Sequence, residues 1–86
     1  MWIVALTFTE APERLAARAA HRHRLSALHR TGVVRMAGPL ADGTGAMIVV
    51  DVPDRPTLDA FIAADPYFTT PGVSVQQVTH WQPFLR

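Results

Sequence analysis

The order of strand-like and helix-like segments constrains the fold of this chain more than any other feature of its sequence. Residues 2–8 alternate large apolar residues with others, which is typical of a strand covered mainly on one face. Apolar residues spaced three and four positions apart predict helices over 12–30 and from 55 to about 65. Short apolar runs bounded by glycine and proline predict further strands at 33–37, 46–52 and 73–81.

This β-α-β-β-α-β order, with right-handed crossovers, predicts an α+β ferredoxin-like fold, in which one antiparallel sheet carries two helices on one face. The opposite face of the sheet has no cover within the chain, and the alternation along 2–8 and 47–51 places apolar side chains on it. A second copy packed sheet on sheet would bury that face. The sequence therefore predicts a homodimer that forms through the open sheet face.

Length and composition restrict the class of protein. A chain of 86 residues has room for one core, so residues 1–86 are predicted to form a single domain. The net charge of +1 gives no strong field for nucleic acid. No stretch approaches the roughly 20 apolar residues of a membrane span, and residues 1–6 lack the features of a targeting segment. We therefore expect a cytoplasmic protein with neither a nucleic-acid partner nor a membrane partner.

Local signals predict the ends of the first helix and of one hairpin. Thr9 is the candidate N-terminal cap, and Pro12 suits the first turn of a helix. Gly32 suits the left-handed backbone position that follows a helix. Asp42 followed by Gly43 is typical of a hairpin turn.

His21 is the main candidate for chemistry. At 100° per residue, it shares an arc of roughly 80° with Ala17, Leu25 and Leu28, so its imidazole points towards the core. It is either a packed core histidine or an acid–base group shielded from water. Asp65, which precedes a proline, either caps the turn that ends the second helix or pairs with this imidazole, and the two roles can coexist.

The spacing along the two helices supports a contact between His21 and Asp65. With the first and third strands taken as parallel neighbours, the two helices run in the same direction. His21 then lies about 13 Å beyond Pro12, and Asp65 about 15 Å beyond Arg55, at similar depth over the sheet. A carboxylate bonded to one ring nitrogen would fix the tautomer and leave the other nitrogen free to move a proton.

The four histidines do not form a metal-binding pattern. His21 and His23 point roughly 200° apart on a helix, and His29 lies about 12 Å further along the axis than His21. His80 stands alone near the last strand. We therefore expect no metal, and because the sequence has neither a phosphate-binding loop nor a dinucleotide fingerprint we expect no other cofactor.

Three segments resemble the YciI family, small dimeric α/β-barrel proteins grouped with muconolactone isomerase-like folds. The resemblance covers almost the whole chain, and its motifs are Arg18-Ala19-Ala20-His21, Ala37-Gly38-Pro39-Leu40 and Ala64-Asp65-Pro66-Tyr67. One departure is the loop 68–71, which is a residue longer than is usual in that family and carries Pro71.

The resemblance implies that His21 and Asp65 form an active-site pair. It also implies cofactor-independent proton transfer on a small organic molecule, as in an isomerase or a lyase that eliminates HCl. The alternative is a dimeric ligand-binding or accessory domain without catalysis, in which the pair is a structural hydrogen bond.

Four further residues are candidates for contact with a small molecule. Arg18, one turn before His21, could bind a substrate carboxylate, unless it is solvated or paired with a nearby glutamate. Gly38 and Pro39 either end a strand or open the mouth of a pocket, because proline removes a hydrogen-bond donor from the strand. Tyr67 is a packing residue that could also form a pocket wall.

Overall fold

The computed structural model describes residues 1–86 and contains the predicted four strands and two helices in the predicted order. The structure also contains a short 3₁₀ helix, which the sequence did not predict, between the second helix and the last strand. Neither α-helix has the length and apolar character needed to cross a membrane, and the cytoplasmic localisation stays a prediction. The elements are β1 (Trp2–Phe8), α1 (Pro12–Arg30), β2 (Val34–Pro39), β3 (Gly45–Val50), α2 (Arg55–Ala63), the 3₁₀ helix (Pro66–Thr69) and β4 (Val73–His80).

The four strands form one sheet in the order β2-β3-β1-β4, and every neighbouring pair is antiparallel. The predicted ferredoxin-like fold is thereby confirmed. The prediction that β1 and β3 run parallel is wrong. The crossover through α1 makes β1 parallel to β2, which is not its neighbour, and the hairpin after β2 then reverses the direction of β3. As a result, α1 and α2 run in opposite directions across the sheet.

Both ends of α1 agree with the prediction from the sequence, but the predicted N-terminal cap does not. Pro12 begins the helix, and Gly32 follows it with a φ of 87°, both as predicted. The predicted cap at Thr9 is wrong, because Ala11 precedes the helix and no side chain caps its first turn. The amide of Thr9 donates to the carbonyl of Gly72, so Thr9 extends the pairing of β1 with β4 instead.

Two exposed aspartates stabilise the backbone next to them by accepting hydrogen bonds from a nearby threonine. The Asp54 carboxylate caps α2 by accepting hydrogen bonds from the hydroxyl and the amide of Thr57, which together lower the pKa of Asp54. The Asp42 carboxylate accepts from the hydroxyl and the amide of Thr44 in the turn between β2 and β3, and these bonds lower the pKa of Asp42. Both carboxylates therefore stay ionised at neutral pH and hold their turns.

The core lies between the helices and one face of the sheet. Alternate residues of β1, Val4 and Leu6, are buried together with Leu25 of α1 and Leu58 of α2. Burying one such side chain stabilises the fold by about 1.5–3 kcal/mol. Because side chains from both helices join the same cluster, the two helices cover the same sheet face, as predicted.

The face of the sheet away from the helices carries apolar side chains that are partly or largely exposed, except for Val49, which is only 7% exposed. The strand register places Ala5 opposite Met47 and Ile3 opposite Val49, and Met36 also lies opposite Val49. Met36 and Met47 are 63% and 43% exposed. We call this surface the open face and define it by these five residues.

Candidate functional site

His21 and Asp65 form a buried hydrogen-bonded pair. His21 lies at the middle of α1, and its Nδ1 is 2.6 Å from Oδ2 of Asp65. The two residues are only 8% and 4% exposed, although both are polar. Buried polar groups are stable only when they are hydrogen-bonded, and this pair meets that requirement. The contact expected from the sequence is therefore present.

The contact arises for a different reason from the one predicted. The first residue of β1, Trp2, pairs with Val50 at the end of β3, so α1 and α2 begin at opposite ends of the sheet. α2 has nine residues and extends about 13 Å. It therefore stops near the middle of α1, and Asp65 follows at the depth of His21. His21 and Asp65 lie at equal depth over the sheet because the two helices are antiparallel and α2 is short.

Asp65 accepts hydrogen bonds from three donors, two of which lie in α1 and one in the 3₁₀ helix. Beside the His21 ring, Nη1 of Arg24 donates to Oδ2 at 3.1 Å, and the amide of Tyr67 donates to Oδ1 at 3.0 Å. The bond to Tyr67 caps the 3₁₀ helix, so the turn-capping role and the pairing role predicted for Asp65 coexist. Nη2 of Arg24 also donates to the carbonyl of Phe61 at 3.0 Å and thus links α1 to α2.

Two aromatic rings hold the imidazole of His21 in place. Tyr67 is stacked on it, with ring centroids 4.0 Å apart and planes inclined by 12°. Phe68 meets it edge to face, with centroids 5.6 Å apart and planes inclined by 85°. Both rings come from the 3₁₀ helix that Asp65 caps. The short helix therefore supplies both sides of the aromatic enclosure, and the adjacent Asp65 supplies the hydrogen-bond partner.

The second ring nitrogen of His21 is free. The ionised carboxylate of Asp65 has no hydrogen to donate, so it accepts the hydrogen bond from Nδ1 of His21. In the neutral imidazole, Nδ1 therefore carries the hydrogen and Nε2 carries the lone pair. Nε2 has no hydrogen-bond partner within the chain, and the only fully buried side-chain nitrogen or oxygen without a partner is Nε of Arg14. Nε2 of His21 therefore keeps access to solvent. That atom can accept a proton from a bound molecule.

A groove of about 1060 Å³ runs beside His21, between α1 and the β2–β3 hairpin. Its apolar lining includes Leu6, Leu25, Val34 and Ile48. A volume of this size and an apolar lining with a few polar groups are typical of small-molecule sites. All four candidate contact residues also line this groove, namely Arg18, Gly38, Pro39 and Tyr67. Their contact with a ligand stays a prediction.

One arginine that contacts the pair, Arg24, was not identified from the sequence. Arg24 shares Asp65 with His21, and its guanidinium lies over the ring of Phe61, 4.8 Å from the centroid. The helical spacing of Arg24, three residues after His21, would have placed both side chains on adjacent parts of α1.

No three histidine, aspartate or glutamate side chains lie close enough together to hold a metal ion. The side chains that contact the His21–Asp65 pair include Arg24, Tyr67 and Phe68. The chemistry that this arrangement can perform by itself is transfer of a proton at Nε2.

Comparison with known proteins assigns a family to the chain. The YCII-related domain family matches residues 1–82 of the 86. The match thus includes α1, the groove, Asp65 and the 3₁₀ helix. No curated protein matches the chain.

Proposed function

Because the chain belongs to the YCII-related domain family, we propose that it is a small enzyme of the isomerase or lyase type that uses His21 as its acid–base residue. The observation that carries the proposal is the bond between Nδ1 of His21 and Oδ2 of Asp65 at 2.6 Å, which leaves Nε2 open to solvent. The substrate is a small organic molecule bound in the groove, and no cofactor takes part in the reaction.

His21 acts first as a general base. Nε2 accepts a proton from a carbon atom of the substrate, and the ring becomes an imidazolium that donates from both nitrogens. The carboxylate of Asp65 stabilises the positive charge that forms and keeps the ring in one orientation. The face of Tyr67, stacked at 4.0 Å, contributes further, since an aromatic face attracts a cation.

The fate of the proton distinguishes the two reaction types. In an isomerisation, Nε2 returns the proton to a different carbon of the same substrate, and the double bond moves. In an elimination, the electron pair of the broken C–H bond forms a new double bond while a neighbouring group such as chloride leaves. Both reactions need only one acid–base group, which the groove offers in His21.

The alternative function is a ligand-binding or accessory domain without catalysis. It is favoured by the number of structural contacts that Asp65 makes, because its three donors connect α1 to the 3₁₀ helix. In that case the His21–Asp65 bond would serve stability alone, and the groove would bind a molecule without changing it. The two functions differ in one respect: the enzyme transfers protons to and from its ligand, and the binding domain does not.

Exchange of hydrogen for deuterium at carbon tests the proposal without knowledge of the product. The wild-type protein is incubated in D₂O with a panel of unsaturated lactones, chlorinated carboxylic acids and aromatic hydroxy acids, and their C–H signals are followed by proton NMR. We expect at least one compound to lose a C–H signal, by exchange or elimination, about a hundredfold faster than with buffer. Rates equal to those in buffer for the whole panel would support the non-catalytic alternative.

We also propose that two copies of the chain pack through the open face. Its exposed methionines, Met36 and Met47, lie on the adjacent strands β2 and β3 and contribute apolar surface that is open to solvent. Introducing a buried charge there would be costly, so Met47→Glu should convert a dimer into a monomer. Size-exclusion chromatography with light scattering measures the mass, and Leu15→Glu is the control because Leu15 is an exposed residue of α1. A wild-type monomer, or a dimer that survives Met47→Glu, would contradict this interface.

A further inference from the structure

We infer that the groove binds an organic carboxylate, with Arg14 and Arg18 holding the carboxylate group and the apolar body lying beside His21. The inference rests on the proposed function, since it names the substrate class of the same groove. It depends on the distribution of charge around the groove, on the environment of Arg14 and on the spacing along α1.

Positive charge is concentrated in the groove. The chain has eight arginines and seven acidic residues, so its net charge is only +1. No aspartate or glutamate lines the groove, whereas five of the eight arginines do: Arg14, Arg18, Arg22, Arg30 and Arg35. The two signs are therefore separated in space, and the groove attracts anions although the whole chain is nearly neutral.

The arginines of α1 that line the groove have no acidic partners. Arg14, Arg18 and Arg22 follow one another at intervals of four residues, and none of them forms a salt bridge. The pairing of Arg18 with a nearby glutamate, one of the alternatives considered from the sequence, is absent. Like charges four residues apart repel each other and destabilise a helix. An anionic ligand would relieve this repulsion.

Arg14 is oriented by its surroundings and still lacks a counter-ion. Its guanidinium lies over the ring of Phe8 at 4.5 Å, which fixes the plane of the group. Its Nε is fully buried without a hydrogen-bond partner, the only side-chain nitrogen or oxygen in the chain in that situation. A planar guanidinium held in this way is suited to a carboxylate, which can accept two parallel hydrogen bonds. The guanidinium of Arg14 is therefore oriented before the ligand arrives.

The distance between the arginines and His21 fits a small molecule. Arg18 and Arg14 precede His21 by three and seven residues, which corresponds to about 4.5 and 10.5 Å along the helix axis. They are turned by roughly 60° and 20° from His21 and so lie on the same side of α1. A carboxylate held by Arg18 and Arg14 would leave the carbon chain or ring of the ligand within reach of Nε2.

The apolar lining favours an organic carboxylate over inorganic phosphate. Leu6 and Leu25 belong to the lining near His21 and offer contact to a hydrocarbon body. A small inorganic anion would leave this surface exposed to water and would gain nothing from it. The ligand that uses both the arginines and the leucines carries a negative charge at one end and an apolar group at the other.

Binding of benzoate and of its uncharged analogue benzamide tests the inference. Both are titrated into isotope-labelled wild-type protein at low salt, and amide shifts around the groove are followed by NMR. We expect benzoate to bind at least about tenfold more tightly than benzamide, with the difference reduced by added salt. Arg18→Gln and Arg14→Gln should each weaken benzoate about tenfold and leave benzamide unchanged. Arg55→Gln, which alters an exposed arginine paired with Asp59 on α2, is the matched control.

Equal affinity for benzoate and benzamide in the wild type would overturn the inference without any variant, so it does not depend on whether Arg14→Gln folds. Inorganic phosphate that binds as tightly as benzoate would overturn the organic class of the ligand. The result is also independent of the proposed function. If benzoate binds through the arginines but no compound exchanges its protons, the catalytic proposal fails alone. If anionic and neutral compounds exchange equally well, this inference fails alone.

Discussion

His21→Asn is expected to lower the rate of catalysed C–H exchange by about a factor of 10² to 10⁴, the usual contribution of a single general acid–base group. Asparagine places an amide nitrogen close to the position of Nδ1 and can still donate to Asp65. It has no basic nitrogen at the position of Nε2, so it cannot accept a proton from carbon. The substitution therefore removes the proposed chemistry and retains the bond that links α1 to Asp65. Exchange is measured by proton NMR with the compound that the wild type processes.

The control for this experiment is His23→Asn, because His23 is an exposed histidine of the same helix and does not line the groove. We expect its exchange rate to remain close to that of the wild type. Melting temperatures show whether either variant loses structure, and benzoate binding shows whether the groove persists. An exchange rate in His21→Asn within a factor of about three of the wild type would rule out His21 as the acid–base group.

The fold was predictable from the sequence because each element carries its own local signal. The alternation along β1 and the helical periodicity from Pro12 to Arg30 reflect which side chains face one core. Strand direction was also predictable in principle, because it follows from counting chain reversals. Two reversals separate β1 from β2 and one more leads to β3, so β1 and β3 had to be antiparallel. The parallel arrangement assumed for the helices ignored that count.

The site was predictable only in part, because its members come from distant parts of the chain. The helical periodicity indicated that His21 points inwards, and the Asp-Pro pair indicated a turn at Asp65. Neither pattern determines how α2 is placed against α1, which is what brings Asp65 to His21. Arg24 was missed because its long side chain reaches the carbonyl of Phe61 through rotamers that no local pattern specifies. The stacking of Tyr67 on His21 depends in the same way on the 3₁₀ helix, which the sequence did not reveal.

Asp65→Ala is expected to lower the free energy of unfolding by about 3–5 kcal/mol, the usual cost of removing one partner from a buried charged pair. The carboxylate is 4% exposed, and its loss leaves Nδ1 of His21 and the amide of Tyr67 without their acceptor. Arg24 is 27% exposed and can turn towards water, so its contribution to this loss is smaller. For a domain of this size, the change corresponds to a melting temperature lower by roughly 15–30 °C. Differential scanning calorimetry and chemical denaturation measure it.

The matched control is Asp59→Ala, because Asp59 is an exposed aspartate whose only ion pair, with Arg55 on the same helix, is solvated. A pair of that kind contributes a few tenths of a kcal/mol at most, about 0.2–0.5. A loss in Asp65→Ala no larger than in Asp59→Ala would mean that Asp65 does not hold α1 and the 3₁₀ helix together.

Asp65→Asn separates the structural role of this residue from its role in orienting His21. The amide keeps an oxygen that can accept from the Tyr67 backbone, and it turns its NH₂ group towards the imidazole. Nδ1 of His21 then accepts a hydrogen bond, and the hydrogen of the neutral ring moves to Nε2, which can no longer act as a base. We therefore expect Asp65→Asn to lose less stability than Asp65→Ala but to be as inactive in exchange as His21→Asn. Wild-type exchange in Asp65→Asn would show that proton transfer does not depend on the tautomer held by Asp65.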